Sequence, residues 1–154
     1  MQYLSVINDL EIGYDSINAL DIVKTLYNNE VWLYTDTAPF TSKISKGDKF
    51  ILYIAGKGRR YFHSSFEIAG NIEEINDDKI IDNEKIDLDR FFQYFVPINN
   101  ISIFKKKPMI KDIKTDLKFI KDKKNYGLFL RQSVKRISKE DYDYIINKTK
   151  WKEF

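Results

Sequence analysis

KGDKFILYIAGKGRRYF, residues 46–62, decides the fold. A Lys-Gly-Asp turn at 46–48 leads into residues 50–55, an apolar run with no polar alternation. That is the pattern of a strand buried on both faces in the middle of a sheet. Residues 57–60 form a basic turn. Residues 62–75 then alternate through Phe66, Ile68, Gly70 and Ile72, so this stretch is expected to pair back on the buried strand as a hairpin, with a bulge at Gly70.

Outward from this hairpin, residues 3–7 alternate as a strand and residues 8–13 read as a turn. Asp15 or Ser16 is placed to cap a helix carrying Ile17, Leu20, Val23 or Lys24, and Tyr27 at steps of three to four, ending near Asn28 and Asn29. Residues 31–34 form a short apolar strand, and residues 35–46, with Pro39, form a loop. Residues 77–89 are acidic and read as a loop. Residues 91–104 read as two strands broken by Pro97 and Asn99-Asn100. Pro108 suits a first helical turn, and Ile110, Ile113, Leu117 and Ile120 share a helical face. Residues 126–130 make a last strand-like piece. Ser138 and Asp141 open a terminal helix that turns Tyr142, Ile145 and Ile146 inward. The fold expected is α+β: a curved mixed sheet or pseudo-barrel with flanking helices, in a single domain over residues 1–154.

Composition narrows the chemistry. With 154 residues, 43% apolar, 32% charged and 23 aromatics (Trp 2, Tyr 10, Phe 11), the chain can bury a core without staples. It has no cysteine, which excludes disulfides, thiolate nucleophiles and zinc fingers. Its one histidine, His63, excludes two-histidine metal motifs and reads as a partly exposed strand residue. The Gly56-Lys57-Gly58-Arg59-Arg60 turn lacks the spacing of a phosphate-binding loop. No catalytic constellation emerges, and no metal or cofactor is expected. No apolar run is long enough to span a membrane and the first residues lack a signal pattern, so a cytoplasmic location is expected.

Charge is unevenly spread. Residues 105–136 hold twelve Lys or Arg against three Asp, while residues 67–90 hold nine acids against three bases. A basic segment of this kind is either a solvated surface or a place to neutralise phosphates. Lys57, Arg59, Arg60, Lys105, Lys106, Lys107, Lys121, Lys123 and Lys124 are the candidates for contact with a nucleic-acid backbone.

Residues 3–7, Val31-Trp32, the Lys-Gly-Asp turn, residues 51–54 and DLKFIKDKKNYGLFLRQSVKRISKEDYDYII at 116–146 together resemble the EVE domain family of the PUA-like superfamily, which also holds the YTH and ASCH domains. The resemblance implies a reader and not an enzyme: a nucleic-acid-binding module with an aromatic-lined pocket for a modified or flipped-out base of DNA or RNA, serving a partner nuclease or other effector. A non-catalytic small-ligand or protein-interaction module is the alternative. By resemblance, Trp32 is a pocket wall, though its strand equally allows a core role. Thr41, Ser42 and Lys43 offer polar groups before the turn. Tyr53 and Ala55 share one side of the buried strand, and Phe129, Leu130, Arg131, Gln132 and Ser133 match the late pocket segment. The family often carries further tryptophans, and here Tyr34, Phe40, Tyr61 and Phe62 are the aromatics available to replace them.

Overall fold

The computed structural model describes residues 1–39, 42–75, 88 and 91–150. Nearly all of the acidic segment at 77–89 therefore lies outside the described residues.

The described residues form nine strands, most of them of alternating or unbroken apolar character: β1 Gln2–Ile7, β2 Leu10–Ile12, β3 Asp15–Ile17, β4 Val31–Tyr34, β5 Lys49–Ile54, β6 Tyr61–Ile68, β7 Glu73–Glu74, β8 Tyr94–Ile103 and β9 Val134–Ile137. Three helices join them: α1 Ala19–Asn28, α2 Ile110–Ile113 and α3 Lys139–Lys148. The main sheet runs β4-β8-β6-β5-β1-β9, with β7 also on β8, and curls into a half-barrel. β1 and β5 are parallel, with Gln2 opposite Lys49 and Ile7 opposite Ile54, and the remaining pairs are antiparallel.

β5 occupies the middle, as its apolar run requires, and Phe50, Ile51, Leu52 and Ile54 are fully buried. Its side chains feed two cores in alternation. Phe50, Leu52 and Ile54 join Tyr3, Phe66, Trp32 and the inner face of α1. Ile51 and Tyr53 join Leu4, Phe62, Ile137 and the residues of α2 and α3. The four residues expected on one helical face, Ile110, Ile113, Leu117 and Ile120, are all buried in that second core. They span α2, a following 3-10 turn at Lys114–Asp116 and the coil beyond it. At α3, Ser138 Oγ accepts the Asp141 amide as expected, while the buried Asp141 carboxylate accepts the amides of Lys118 at 2.9 Å and Phe119 at 3.0 Å. One buried acid thus ties α3 to the preceding loop.

Five local expectations are corrected. Residues 8–13 are not simply a turn, because β2 and β3 form a separate hairpin there. That hairpin consumes Asp15 and Ser16, so α1 starts later: Asn18 Oδ1 accepts the Leu20 amide and Asp9 Oδ1 the Ala19 amide, both at 2.8 Å. β8 is continuous through Pro97, which stands where β6 has ended at Ile68 and β7 has yet to begin, so the missing N–H costs no ladder bond. Gly70 is not a bulge residue: it lies outside the strands, and a Cβ there would come within 2.8 Å of the Pro97 ring. Residues 126–130 form a 3-10 turn and not a strand, a distinction that a five-residue apolar run cannot carry.

The bulges lie elsewhere, one between Leu52 and Tyr53 and one between Ser65 and Glu67. At the first, Leu52 pairs with Ser64 and Tyr53 with Phe62, leaving His63 as the extra residue. His63 is buried, contrary to the exposed position expected, and its Nδ1 lies 2.8 Å from Ser64 Oγ. Ser64 Oγ in turn shares a 2.5 Å hydrogen bond with Tyr27 Oη on α1. Burial, with Lys107 adding to it, lowers the His63 pKa to about 4.

Candidate functional site

Two cavities flank the sheet near the end where β1 and β5 finish. Ala55 N donates to Ile7 O at 2.8 Å there, joining the strand ends that border both. Clefts at the carboxyl ends of parallel strands are common ligand positions, because the chain diverges there and leaves space.

The first cavity, about 90 Å³, lies between β1, α1 and β4. Ile7, Ile22, Leu26 and Ala38 supply its apolar walls, Trp32 and Tyr34 come from β4, and Phe92 lies at its border. No charged side chain lines it among the described residues. Trp32 combines the two roles its sequence allowed, since it is buried in the core and also faces this cavity. It stacks on Phe66 at 5.1 Å, Phe66 on Phe50 at 5.1 Å, and Phe50 on Tyr3 at 5.0 Å, a ladder of rings across three neighbouring strands and β4. Such stacks fix ring planes that a core of aliphatic side chains would leave free.

The polar groups of this cavity are mostly satisfied. Ser5 Oγ donates to Ser133 O, which also accepts the Val6 amide at 2.9 Å, and Thr35 Oγ1 bonds Thr37 Oγ1. Tyr34 also lines the cavity, but its hydroxyl is not exposed to it. Its hydroxyl is, among the described residues, the one buried side-chain polar atom without a hydrogen-bond partner. Burial raises its pKa, so the group is a neutral hydroxyl throughout the physiological range.

The second cavity, about 330 Å³, lies on the opposite face among Tyr53, Ala55, Gly56, Arg60, Lys124, Tyr126, Gly127 and Leu130. A cleft of about 220 Å³ adjoins it, sharing Arg60 and Tyr126 and adding Lys111. No carboxylate lines either one among the described residues. Lys114 Nζ sits 4.7 Å above the Tyr126 ring.

The residues singled out in the sequence therefore divide. Trp32 and Ser133 line the first cavity, while Tyr53, Ala55, Leu130, Arg60 and Lys124 line the second. Arg131 and Gln132 are exposed on the short segment between the two, and Phe129 is half-buried against the α2 and α3 core. Ser42 and Lys43 are exposed on the β4–β5 connection, and Thr41 and Phe40 lie outside the described residues. Of the other aromatics offered for a wall, Phe62 is buried in the second core and Tyr61 packs on the first. Ser5, Ile7, Ile22, Leu26, Leu33, Thr35, Ala38 and Phe92 were not singled out; the inward spacing of Ile22 and Leu26 on α1 was the only available signal.

Several basic residues are committed internally. Arg59 donates from Nε to Ala55 O at 2.8 Å, from Nη1 to Asp9 Oδ1 and from Nη2 to Asn8 Oδ1 at 2.7 Å each. The hydrogen bond from Arg59 holds the Asp9 carboxyl below its usual pKa, helped by the Ala19 amide. Lys107 Nζ donates to Phe104 O, and Lys123 Nζ to Leu117 O and Ile120 O. Lys57, Lys105, Lys106, Lys121 and Lys124 are exposed. The carboxylates near the motif turns are likewise in structural use: Asp48 accepts the Ser45 amide, Asp116 the Tyr144 hydroxyl, and Glu140 pairs with Lys118. No cluster of metal-ligating side chains occurs among the described residues, and none of their helices is long and apolar enough to cross a membrane.

This curled mixed sheet, with one parallel pair and helices on both faces, is a PUA-like fold. The chain belongs to the EVE domain family, whose model matches residues 19–148. Among solved structures it is similar to the DUF55 domain of human thymocyte nuclear protein 1, at 11% identity and a TM-score of 0.66, covering 99% of this chain and 100% of that one. The human THYN1 protein in complex with 5-methylcytosine containing DNA gives 13% identity and a TM-score of 0.65, covering 99% of each chain. The YTH domain of Zygosaccharomyces rouxii MRB1, in complex with N6-methyladenosine RNA, gives 15% identity and a TM-score of 0.58, covering 99% of this chain and 89% of that one. At these identities the likeness is one of fold. No curated protein matches the chain by sequence.

Proposed function

We propose that this EVE domain is a reader of nucleic acid, taking one modified base of DNA or RNA into the cavity between β1, α1 and β4. The observation that carries this is an apolar cavity with no charged side chain among its described lining residues, one wall of which is Trp32 in a ladder of stacked rings. A neutral heterocycle suits such a cavity, since it brings a flat apolar body and no charge to bury. A phosphate or carboxylate would enter without a counter-charge, at a cost of several kcal/mol. The volume, enough for roughly six waters, suits the edge of one altered base better than a stack of two. Two similar folds bound to methylated nucleic acids support the reading. Extruding a base costs a few kcal/mol, and least where it is already unpaired, so single strands are the favoured form.

The test is a titration of short single- and double-stranded DNA and RNA, with and without 5-methylcytosine or N6-methyladenine, at two salt concentrations. The variant Ala38→Leu fills the cavity from a buried wall position with an apolar side chain. Preference for one modified base, lost in Ala38→Leu while the melting temperature holds, supports the reading. Equal binding of modified and plain strands by both proteins defeats it.

A further inference from the structure

We propose that the cleft on the opposite face, around Arg60, Lys124 and Tyr126, is a second binding site, and that it holds a phosphate of the same strand whose base enters the first cavity. The inference rests on the reader function and adds to it a place, a partner chemistry and a route between the two.

Arg60 carries the first part. Its φ is +65°, a left-handed backbone that a non-glycine side chain adopts at a cost. The conformation is held from both sides: its amide donates to Ile54 O at 2.9 Å and its carbonyl accepts the Ile110 amide at 3.0 Å. Gly56 and Gly58, nearby in the same turn, take positive φ as glycine does without strain. An arginine at the third such position places a guanidinium where the two adjoining clefts meet. Its neighbour Arg59 also borders the smaller cleft, but its guanidinium is spent on Asp9, Asn8 and Ala55, which leaves Arg60 as the arginine available to a ligand there.

The lining fits a phosphodiester. Arg60, Lys124 and Lys111 bring positive charge to the two clefts, with no carboxylate among the described lining residues to neutralise it. Tyr53 and Tyr126 add aromatic surface, and a base beside a held phosphate can stack on such a ring. This combination of cation and aromatic ring is what single-strand binding surfaces use.

The route follows from the chain. Leu130 lines the second cavity and Ser133 the first. Three residues cover at most about 10 Å, so the two cavities open within a few nucleotides of one another along a strand. Between them Arg131 and Gln132 are exposed, and β9, which they enter, is an edge strand of the sheet. A strand passing around this edge meets both cavities without crossing the sheet.

The test uses Arg60→Gly and Lys124→Gln in the full chain, with the oligonucleotides above. Glycine relieves the left-handed strain, so Arg60→Gly keeps or raises the melting temperature, and weaker binding cannot then be a folding defect. The expected result is roughly tenfold weaker binding of the modified strand at low salt, with the slope of log K against log salt reduced by about one. The preference for modified over plain base stays. Unchanged affinity and salt slope in both folded variants overturns the second site. A free nucleoside monophosphate that binds as tightly as the strand, and loses that binding in Arg60→Gly, overturns the single-strand route and leaves a separate nucleotide site. Ala38→Leu reports on the reader function alone, since it removes base preference and leaves the salt slope of wild type.

Discussion

The two cavities sit back to back on one sheet and differ in almost every property. The cavity under α1 is small, apolar and uncharged, and its ring planes are set by stacking. The cleft on the other face is larger and is lined by Arg60 and Lys124 beside two tyrosines. On the proposed function, the first would discriminate shape and the second attract charge. A central strand that alternates its side chains between the faces lets one short backbone serve both, because Leu52 and Tyr53 are neighbours in sequence and belong to different cores.

That division can be broken most severely through Trp32. Trp32→Ala removes a buried ring stacked on Phe66, and by the usual cost of such truncations the fold loses about 3–5 kcal/mol. Urea unfolding measures it. Binding lost with Trp32→Ala is therefore uninformative about base contact, whereas Ala38→Leu keeps the ladder.

Acid is the next largest perturbation, and it acts on the α1 side. His63 has a pKa lowered to about 4, below the ordinary 6.5, so the unfolded chain binds more protons between these values. Stability is fully present above about pH 6.5, falls as pH drops towards 4, and changes no further on this account below it. The loss is up to about 3 kcal/mol, checked by unfolding at pH 7 and pH 4.5. Lys107 works in the same direction by its charge.

On the other face, Asp141→Ala strands the amides of Lys118 and Phe119 while leaving the Ser138 cap on the residue 141 amide intact, at about 2 kcal/mol. The same unfolding assay reads it, and the base preference is expected to persist.

The smallest change sharpens the comparison most. Tyr34→Phe deletes one unpartnered buried hydroxyl that the cavity does not reach, so stability stays level or rises by about 1 kcal/mol, while affinity for the modified base holds. Calorimetric melting and strand titration on one sample give both numbers.

How much of this was legible beforehand depends on the length of the signal. The apolar run at 50–55 and the Ser138 cap are local patterns, and β5 and α3 appear where they were expected. Pro97 misled because its cost depends on a neighbour: β8 passes through it only because β6 has stopped, and β6 is distant in sequence. The cavity under α1 is harder still. Its walls come from residues 5–7, 22–38, 92 and 133, and no motif spacing links them. Trp32 was singled out on a family resemblance, and the local pattern could not separate wall from core because the residue is both. The basic residues were found by charge count, but a count does not show that Arg59, Lys107 and Lys123 spend their donors on the chain itself.

β1 lies between β5 and β9, with Gln2 opposite both Lys49 and Ile137. Pairings that distant in sequence close large loops before any contact rewards them, which places the domain among slow folders, in the millisecond to second range. During synthesis the first strand finds one neighbour early and waits for almost the whole chain to find the other. Until β9 arrives, one side of β1 remains an open edge, and the Ser133 carbonyl that satisfies Ser5 and Val6 is missing. The rate-limiting event in making this protein is thus expected to be the docking of its last strand beside its first, with the base-sized cavity the final feature to close.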